Sequence, residues 1–362
     1  MNPVGIVANL VAIPLFAVVL WFGLTHGVLA AIGLDAAASF VAPLARLAAE
    51  ALSAVVEWFA AWPGSTVAVG SPGPWTVALA YGALFGTRGG ARVLLLSAVA
   101  ALAVVGPRWS PARGTLEVVV LDVGHGAATV LHLPDGRTAL YDAGSDREAI
   151  DRRVIEPYLA RRGVSGIDTL FLSHGDADHC SGLEGLLDSR PPRRLVTTSR
   201  VLDRMPWLLA KGRERGFEVV AASRGRSFDL GGARAVVVAP GPGDEGSDND
   251  LSMALLLEWE GRRILLSGDL EEAGIARLLE SDPPRADVVV LPHHGEGLAG
   301  LGQLLSRTRP RWAIASAPAG GGDPSARDVC RRAGAALLET GEDGAVRVWL
   351  SASGVRVETH RR

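Results

Sequence analysis

The sequence has little cysteine, a single lysine and, over its first third, very little charge. Its 362 residues include only two cysteines, Cys180 and Cys330, which lie far apart along the chain. Two distant cysteines exclude the disulfide framework of a small secreted domain and a CxxC zinc site. The formal net charge is −3, so composition alone does not indicate a nucleic-acid partner. Cys180 stands beside a histidine-rich motif, but a small buried residue at a helix start is the simpler interpretation.

Charge is scarcest at the amino-terminal end. Residues 4–24 form a run of 21 residues without a charged side chain, long enough to cross ~30 Å of hydrocarbon as a helix. The run lacks the basic start and small-residue cleavage site of a signal peptide, so we expect it to be retained. The alternative is a buried helix in the core of a soluble protein. We therefore predict a helical transmembrane region over residues 1–107.

The segments that follow are shorter or more polar. Residues 36–62 predict a second helix, which carries three charges and is expected to lie along the interface or to line a polar cavity. Two apolar segments, 75–86 and 93–107, complete a multi-pass membrane region. Arg88 and Arg92 favour a cytoplasmic loop between these segments, which places the rest of the chain outside the cytoplasm, whereas Arg108 and Arg113 oppose that orientation.

From Leu116 onward the pattern changes to short β-rich runs separated by glycine-rich turns. An amphipathic helix is predicted over 146–163, and a buried strand over 167–173. These features predict a layered α/β hydrolase domain over residues 112–362. The other predicted strands are 116–124, 129–133, 137–144, 234–240, 252–259, 262–267, 286–291 and 311–316, with helices at 270–280 and 324–333 and a closing hairpin at 345–358.

The stretch "SHGDADH" follows the strand at 167–173 and places four ligand-type side chains within six positions: His174, Asp176, Asp178 and His179. Imidazoles and carboxylates converging at one turn need partners, and a cation can hold them together. The alternative is a solvated acidic turn. The spacing predicts a metal site.

Two more strands end in groups of the same kind. Asp269 follows the strand in "RRILLSGD", and the pair His293–His294 follows the strand in "ADVVVLPHHG". A two-metal hydrolase needs a carboxylate to bridge the ions and terminal ligands that leave open positions for water. The ordered set is typical of such an enzyme.

The order "LDVGHG", "YDAGS", "SHGDADH", "LSGD" and "LPHHG" resembles the metallo-β-lactamase fold, most closely the carboxyl-terminal domain of the ComEC family of DNA-uptake proteins of natural competence. The segments "NLVAIPLFAVVL" and "AWPGSTVAVGSP" resemble the end of that family's membrane domain, and "ETGEDGAVRV" resembles its tail. The resemblance implies an α/β fold, an αββα sandwich preceded by transmembrane helices. Because the family's amino-terminal bulk is missing, we expect a truncated relative or a fragment.

The resemblance also implies a ligand set for two divalent ions. His174 and Asp176 would hold one ion, while Asp178, His179 and one histidine of the His293–His294 pair would hold the other. Asp269 would bridge the two, and Asp178 and Asp269 would be the catalytic carboxylates. Which of the two adjacent histidines binds stays open at the level of sequence.

Further residues are expected to support this site. Asp142 is expected to orient a ligand rather than to coordinate directly. The histidine that the superfamily places between Cys180 and Asp269 is absent, and the family offers Asn249 and Ser252 in that region. An oxygen-rich site shifts the preference toward manganese without excluding zinc.

Several positions depart from the family pattern. His125 and Ala127 stand where relatives carry Gln and Asp, and Asp323 stands where a histidine is common. Glu296 places a carboxylate where a phosphodiester would approach. His125 could serve as an extra ligand, as a proton donor or as a plain loop residue.

Two functions of different classes are therefore predicted. The first is a membrane-bound phosphodiesterase that degrades the DNA strand not taken in, using a metal-held hydroxide, with DNA, the membrane and other components of the uptake apparatus as partners. The second is a catalytically weak or inactive metal-binding module of the uptake channel. A hydrolase of lactams or thioesters fits the motif and the membrane segments less well. The four arginines 152, 153, 161 and 162 could bind DNA phosphates, or could form a solvated helix face.

Overall fold

The computed structural model describes residues 4–60 and 114–361, together with Trp62, Gly82 and Ala91. The chain divides into two compact units, Met1–Gly106 and Pro107–Arg362. The predicted segments 75–86 and 93–107, and the arginines that argue for orientation, lie outside the described residues except for Gly82. The predicted domain division itself stays a prediction.

The first unit begins with two long helices, α1 (Val4–Ala31) and α2 (Asp35–Ala60). Both are long and apolar enough to span a membrane, over Val7–Ala31 and Asp35–Phe59. Large apolar side chains on them are exposed, and Leu10 and Trp21 each expose 74% of their surface. An apolar surface of this kind is stable in contact with lipid, because its exposure to water costs free energy.

The second unit contains two β-sheets. The first sheet has eight strands in the order β15-β14-β1-β2-β3-β4-β5-β6, and the second has seven in the order β13-β12-β11-β10-β9-β8-β7. The first-sheet strands are β1 (Leu116–Val120), β2 (Ala128–His132), β3 (Thr138–Ala143), β4 (Thr169–Phe171), β5 (Arg194–Thr197), β6 (Glu218–Ala221), β14 (Val346–Ser351) and β15 (Gly354–Thr359). The second-sheet strands are β7 (Ser227–Leu230), β8 (Ala233–Ala239), β9 (Ala254–Trp259), β10 (Arg262–Leu266), β11 (Val288–Val290), β12 (Trp312–Ala315) and β13 (Ala336–Glu339).

Helices cover the outer faces of both sheets. Those that follow the first-sheet strands are α3 (Glu156–Arg161), preceded by a π-helical turn (Asp151–Ile155), then α4 (Ala177–Cys180), α5 (Leu183–Ser189), α6 (Ser199–Arg204) and α7 (Trp207–Arg215). The later ones are α8 (Glu272–Glu280), α9 (Leu301–Thr308), α10 (Pro324–Ala333) and α11 (Thr340–Asp343), with a 3₁₀ turn at His293–Gly295.

Three apolar clusters hold these layers together. One contains side chains from both sheets, such as Phe171 and Leu255, and fills the space between them. A second joins the first sheet to its helices, and a third joins the second sheet to its helices. Two sheets with helices on both outer sides form an αββα sandwich, so the fold expected from the sequence is confirmed.

The structure departs from the predicted elements in several respects, and helices α5, α6, α7, α9 and α11 were not predicted. The helix predicted over 146–163 is a π-helical turn followed by the short helix α3. Strands β5, β6, β7 and β13 were not predicted, because four residues carry too few positions for a hydrophobic period to be recognised.

Candidate metal centre

The motif side chains are mounted where strands end. Strands β3 and β4 are parallel, as are β10 and β11. Parallel neighbours bring their carboxyl ends to the same edge of a sheet, and in α/β proteins ligands bind at that edge. The "SHGDADH" segment follows β4, Asp269 follows β10, and the two adjacent histidines follow β11.

Four of the predicted ligands converge there. Asp178, His179, Asp269 and His294 each offer one ligand atom, and these atoms all lie within 4.8 Å of one another. Nε2 of His294 lies 3.0 Å from Oδ2 of Asp178 and 3.4 Å from Oδ2 of Asp269. Nε2 of His179 lies 2.9 Å from Oδ1 of Asp269. Two imidazoles and two carboxylates in this arrangement fit a divalent cation.

Asp142 and Ser173 orient His179 from behind. Oδ2 of Asp142 lies 2.8 Å from Nδ1 of His179. The same buried carboxylate accepts hydrogen bonds from the backbone N–H of Ser173 at 2.7 Å and from its hydroxyl at 2.8 Å. A carboxylate that holds one ring nitrogen of a histidine leaves the other directed at a metal. Asp142 thus contacts His179 from the side away from the cluster, and its role in orienting a metal ligand stays a prediction.

Electrostatics within the cluster favour a cation. Burial works against a charge on His294, but its hydrogen bonds to Asp178 and Asp269 raise its pKa to about 9. The hydrogen bond from His294 lowers the pKa of Asp178 to about 2. Burial likewise opposes ionisation of Asp269 and His179, yet their mutual attraction lowers the pKa of Asp269 and raises that of His179. The ionised carboxylates of Asp178 and Asp269 are stabilised by nearby positive charge. A divalent ion would supply that charge in place of the protons on the imidazoles.

His174 and Asp176 lie next to this group. Nε2 of His174 lies 3.7 Å from Oδ2 of Asp176, and the rings of His174 and His179 are 4.2 Å apart between centroids. Nε2 of His174 is buried, and among the described residues it has no hydrogen-bond partner. A buried ring nitrogen without a partner costs free energy unless something binds it, so the pair fits a second ligand position.

The sequence left open which of the two adjacent histidines binds a metal, and in the structure they occupy different positions. His294 is buried within the cluster. Nε2 of His293 lies 4.0 Å from Oδ2 of Asp269, and its Nδ1 lies 3.3 Å from Oε2 of Glu296. Of the two, His294 is therefore the better candidate for a metal ligand, while His293 lies beside the exposed Glu296.

The other predicted residues occupy different places. Nε2 of His125 lies 3.6 Å from Oδ2 of Asp178, so this histidine stands at the rim of the cluster. The hydroxyl of Ser252 accepts a hydrogen bond from the backbone N–H of Asp269 at 3.2 Å. Asn249 instead donates its side-chain amide to Glu271 at 3.0 Å. Ser252 thus holds the backbone of Asp269, whereas Asn249 is engaged at the start of helix α8.

Sequence reasoning missed Ser173. Its hydroxyl lies 3.0 Å from Nδ1 of His174 and 3.2 Å from Nδ1 of His179, besides its contacts with Asp142. The available signal was a serine at the end of a buried strand, directly before His174, where its hydroxyl can reach groups of the site.

Comparison with known proteins supports this interpretation. Residues 121–300 match the family described as "Metallo-beta-lactamase superfamily", and residues 1–87 match the family described as "Competence protein". ComE operon protein 3 of Bacillus subtilis is 28% identical over 56% of this chain and 28% of its own length. Recombination protein 2 of Haemophilus influenzae is 32% identical over 56% of this chain and 24% of its own length. The chain belongs to the ComEC family of competence proteins. This ComEC-family chain spans only about a quarter of the length of those two relatives.

Solved structures resemble the chain more distantly. The E377D mutant of CmlA beta-hydroxylase is 17% identical, with a TM-score of 0.44 over 78% of this chain and 60% of that one. A diphosphatase of the PhnP family is 13% identical, with a TM-score of 0.39 over 62% of this chain and 94% of that one. The ComEC-family assignment rests on the matched families and on the curated relatives.

Proposed function

We propose that the second unit is a metal-dependent phosphodiesterase that acts on DNA at the membrane, as part of DNA uptake. The observation that carries the proposal is the convergence of Asp178, His179, Asp269 and His294 from three separate strand ends. The metallo-β-lactamase family match supports a metal-dependent hydrolase, and the competence match supports the link to DNA. Degradation of the strand that is not imported, and a position of this unit outside the cytoplasm, belong to the same proposal.

The residues have distinct tasks in this mechanism. A divalent ion, when bound, acts as a Lewis acid and lowers the pKa of a water molecule. Asp178, His179 and His294 would hold the ion, Asp269 would be shared with a second position at His174 and Asp176, and Asp142 would fix the ring of His179. Manganese and zinc both suit this mixed set of oxygen and nitrogen donors.

We assign His125 a role toward the substrate in this proposal. Its ring stands 4.4 Å from the ring of His294 between centroids, and its side chain is 42% exposed. An imidazole at the rim of the cluster can give a proton to the leaving oxygen of a phosphodiester or hold a phosphate oxygen.

A second candidate function, a metal-binding module without strong catalysis, is favoured by Glu296. Its side chain is 55% exposed and lies beside His293 at the edge of the cluster. A like charge ~5 Å from a phosphate costs roughly 3 kcal/mol at an effective dielectric of about 20, before screening, which slows turnover around a hundredfold.

The test is cleavage of single-stranded DNA by the full chain in detergent, with manganese and with zinc. We expect weak activity that rises in the Glu296→Ser variant, because the repulsion is removed. The His174→Ala/Asp178→Ala double variant should lose it. Activity that survives the double replacement comes from a contaminating nuclease, and a lack of any cleavage by parent and Ser variant favours the module.

Metal content gives an independent readout on the same preparations. Asp269→Ala should lose most of the metal, because a bridging carboxylate serves both ions. His294→Ala should weaken binding strongly, whereas the matched His293→Ala variant should retain the metal. Equal loss in the two histidine variants would contradict the assignment of His294 as the ligand.

A further inference from the structure

A surface cavity of about 410 Å³ lies between strand β1 and helix α3 in the second unit. Five arginines line it, with one carboxylate, that of Asp122. The arginines are Arg153, Arg161, Arg162, Arg347 and Arg361. Such a concentration of cationic groups is notable in a chain with a net charge of −3.

Only part of this positive charge is neutralised. The buried carboxylate of Glu117 pairs with Arg162 and, at 3.1 Å, with Arg347. Asp122 pairs with Arg361 at 3.0 Å. Arg153 and Arg161 are exposed, and no residue in the described part of the chain forms an ion pair with them. The cavity therefore offers two guanidinium groups to an anion from solution.

The rest of the lining suits a nucleotide. Tyr158 and Pro157 border the cavity, so an aromatic ring stands beside the cationic groups. Guanidinium groups match phosphate oxygens in shape and charge. Single-stranded nucleic acids are bound by grooves that combine such groups with aromatic surfaces for the bases.

The cavity is connected to the metal cluster by a short loop. Leu121 and Asp122 line the cavity, and His125 reaches the cluster only three residues after Asp122. Three residues span at most roughly 11 Å. The side chain of Arg147 packs closely on Gly124 within this loop. A Cβ added at Gly124 would lie 2.6 Å from Nε of Arg147. A further guanidinium, that of Arg147, therefore lies against the loop that joins the cavity to the cluster.

We propose that this cavity binds the phosphodiester backbone of a single-stranded nucleic acid and leads it toward the metal cluster, with Arg153 and Arg161 as the contacting residues. The inference rests on the proposed action of the cluster on DNA. A strand bound in the cavity reaches the cluster along the loop 122–125, so the two sites engage one substrate.

The test is binding of a short labelled oligothymidylate to the full chain in detergent, with EDTA present so that no cleavage occurs. Each phosphate neutralised on a single strand contributes about 0.7 to the slope of log affinity against log salt. The Arg153→Ser/Arg161→Ser variant should therefore show a slope shallower by about 1.4 and an affinity roughly 25-fold lower at about 0.1 M salt.

The matched control removes two other exposed arginines that have no ion pair among the described residues, Arg285 and Arg332. Arg285→Ser/Arg332→Ser changes the net charge equally and should leave affinity and slope unchanged. Arg153→Lys/Arg161→Lys should retain binding, and thermal unfolding should show that each variant is folded. Equal losses of DNA binding in both serine pairs, or no loss in either, would overturn the proposal. It would also be overturned if Arg153→Ser/Arg161→Ser lost binding to anionic phospholipid vesicles while its DNA binding stayed intact.

The two proposals fail in different ways. If the parent binds DNA through these arginines but never cuts it, the cavity assignment stands and the phosphodiesterase is refuted. If the parent cuts DNA while the arginine variant binds and cuts equally well, the phosphodiesterase stands and the cavity assignment is refuted.

Discussion

At the scale of single residues, the second unit depends on a few buried polar groups that are fully engaged. Asp142 holds His179 and receives two hydrogen bonds from Ser173. It has a φ of 57°, which is uncommon for a residue other than glycine. A backbone conformation of this kind persists only where its surroundings fix it. The surrounding structure therefore fixes the position of the Asp142 carboxylate beside His179.

Replacing Asp142 by Asn should weaken metal binding about 10- to 100-fold, because the amide no longer fixes the tautomer and basicity of His179. A competition titration with a chelating dye measures the affinity. Asp168→Asn is the matched control, since Asp168 is buried but pairs with Arg137 at 2.7 Å, outside the cluster. Equal loss of metal affinity in the two variants would contradict the orienting role.

His132 makes stability depend on pH. Burial, and then the charges of Arg162 and Arg347, lower the pKa of His132 to about 3. Its Nε2 lies 3.0 Å from the hydroxyl of Tyr158, and the carboxylate of Glu117 pairs with both arginines. In the unfolded chain His132 takes up a proton near pH 6.5, whereas in the folded chain it stays neutral until the pH approaches 3. The contribution of His132 to the free energy of unfolding is therefore fully present above pH 6.5, and it is lost as the pH falls from 6.5 toward 3.

As the pH falls from 6.5 to 5, the presence of His132 should lower the free energy of unfolding by about 2 kcal/mol. The His132→Gln variant should be less stable at pH 7 but should lose less stability over that interval. Denaturant unfolding at a series of pH values measures both effects. Parallel pH profiles for parent and variant would show that the histidine does not cause the acid sensitivity.

At the scale of elements, the turn that carries the candidate metal ligands depends on close backbone contact between β3 and α4. Gly144 follows β3, and a Cβ added there would lie 2.3 Å from the carbonyl carbon of His179 and 2.4 Å from that of Asp178. No side chain fits at this position without moving Asp178 and His179. The "DAGS" run therefore has its glycine for a steric reason.

Gly144→Ala should destabilise the second unit by about 3 kcal/mol and should reduce metal content, because α4 must shift. Gly166→Ala is the control, since nothing lies within 4 Å of a Cβ added there. Thermal unfolding and metal analysis measure the two effects. A Gly144→Ala protein with the stability and metal content of the parent would disprove the steric argument.

At the scale of the whole molecule, two units with different solvent requirements share one chain. The helices α1 and α2 expose large apolar side chains, whereas the second unit buries its apolar clusters within four layers. Each polar backbone group of a spanning helix is satisfied within the helix, so such a segment is stable in lipid. The family match over residues 1–87 agrees with membrane association.

We predict that the full chain fractionates with membranes and is released by detergent, but not by high salt. Apolar contact with lipid does not weaken with ionic strength, whereas surface charge attraction does. Fractionation followed by size-exclusion chromatography measures this. A monodisperse full chain in the detergent-free soluble fraction would end the membrane assignment.

The sequence by itself determined the fold class and the identity of the candidate ligands. Strand-end motifs are local, since a hydrophobic run followed by His and Asp residues is visible within a window of a few residues. The ligand spacing in "SHGDADH" and the charge-free run over 4–24 are signals of this kind. Both were interpreted correctly at the level of family and fold, because these motifs combine into few known architectures.

Only the tertiary structure decided which groups meet. His293 and His294 are adjacent in the sequence, and the backbone after β11 directs only His294 into the cluster. Arg153 and Arg161 belong to an ordinary helical pattern, yet Arg347 and Arg361 come from the other end of the chain to form one cavity with them. Such convergence depends on how strands separated by many residues pair and pack, and no local period of the sequence records it.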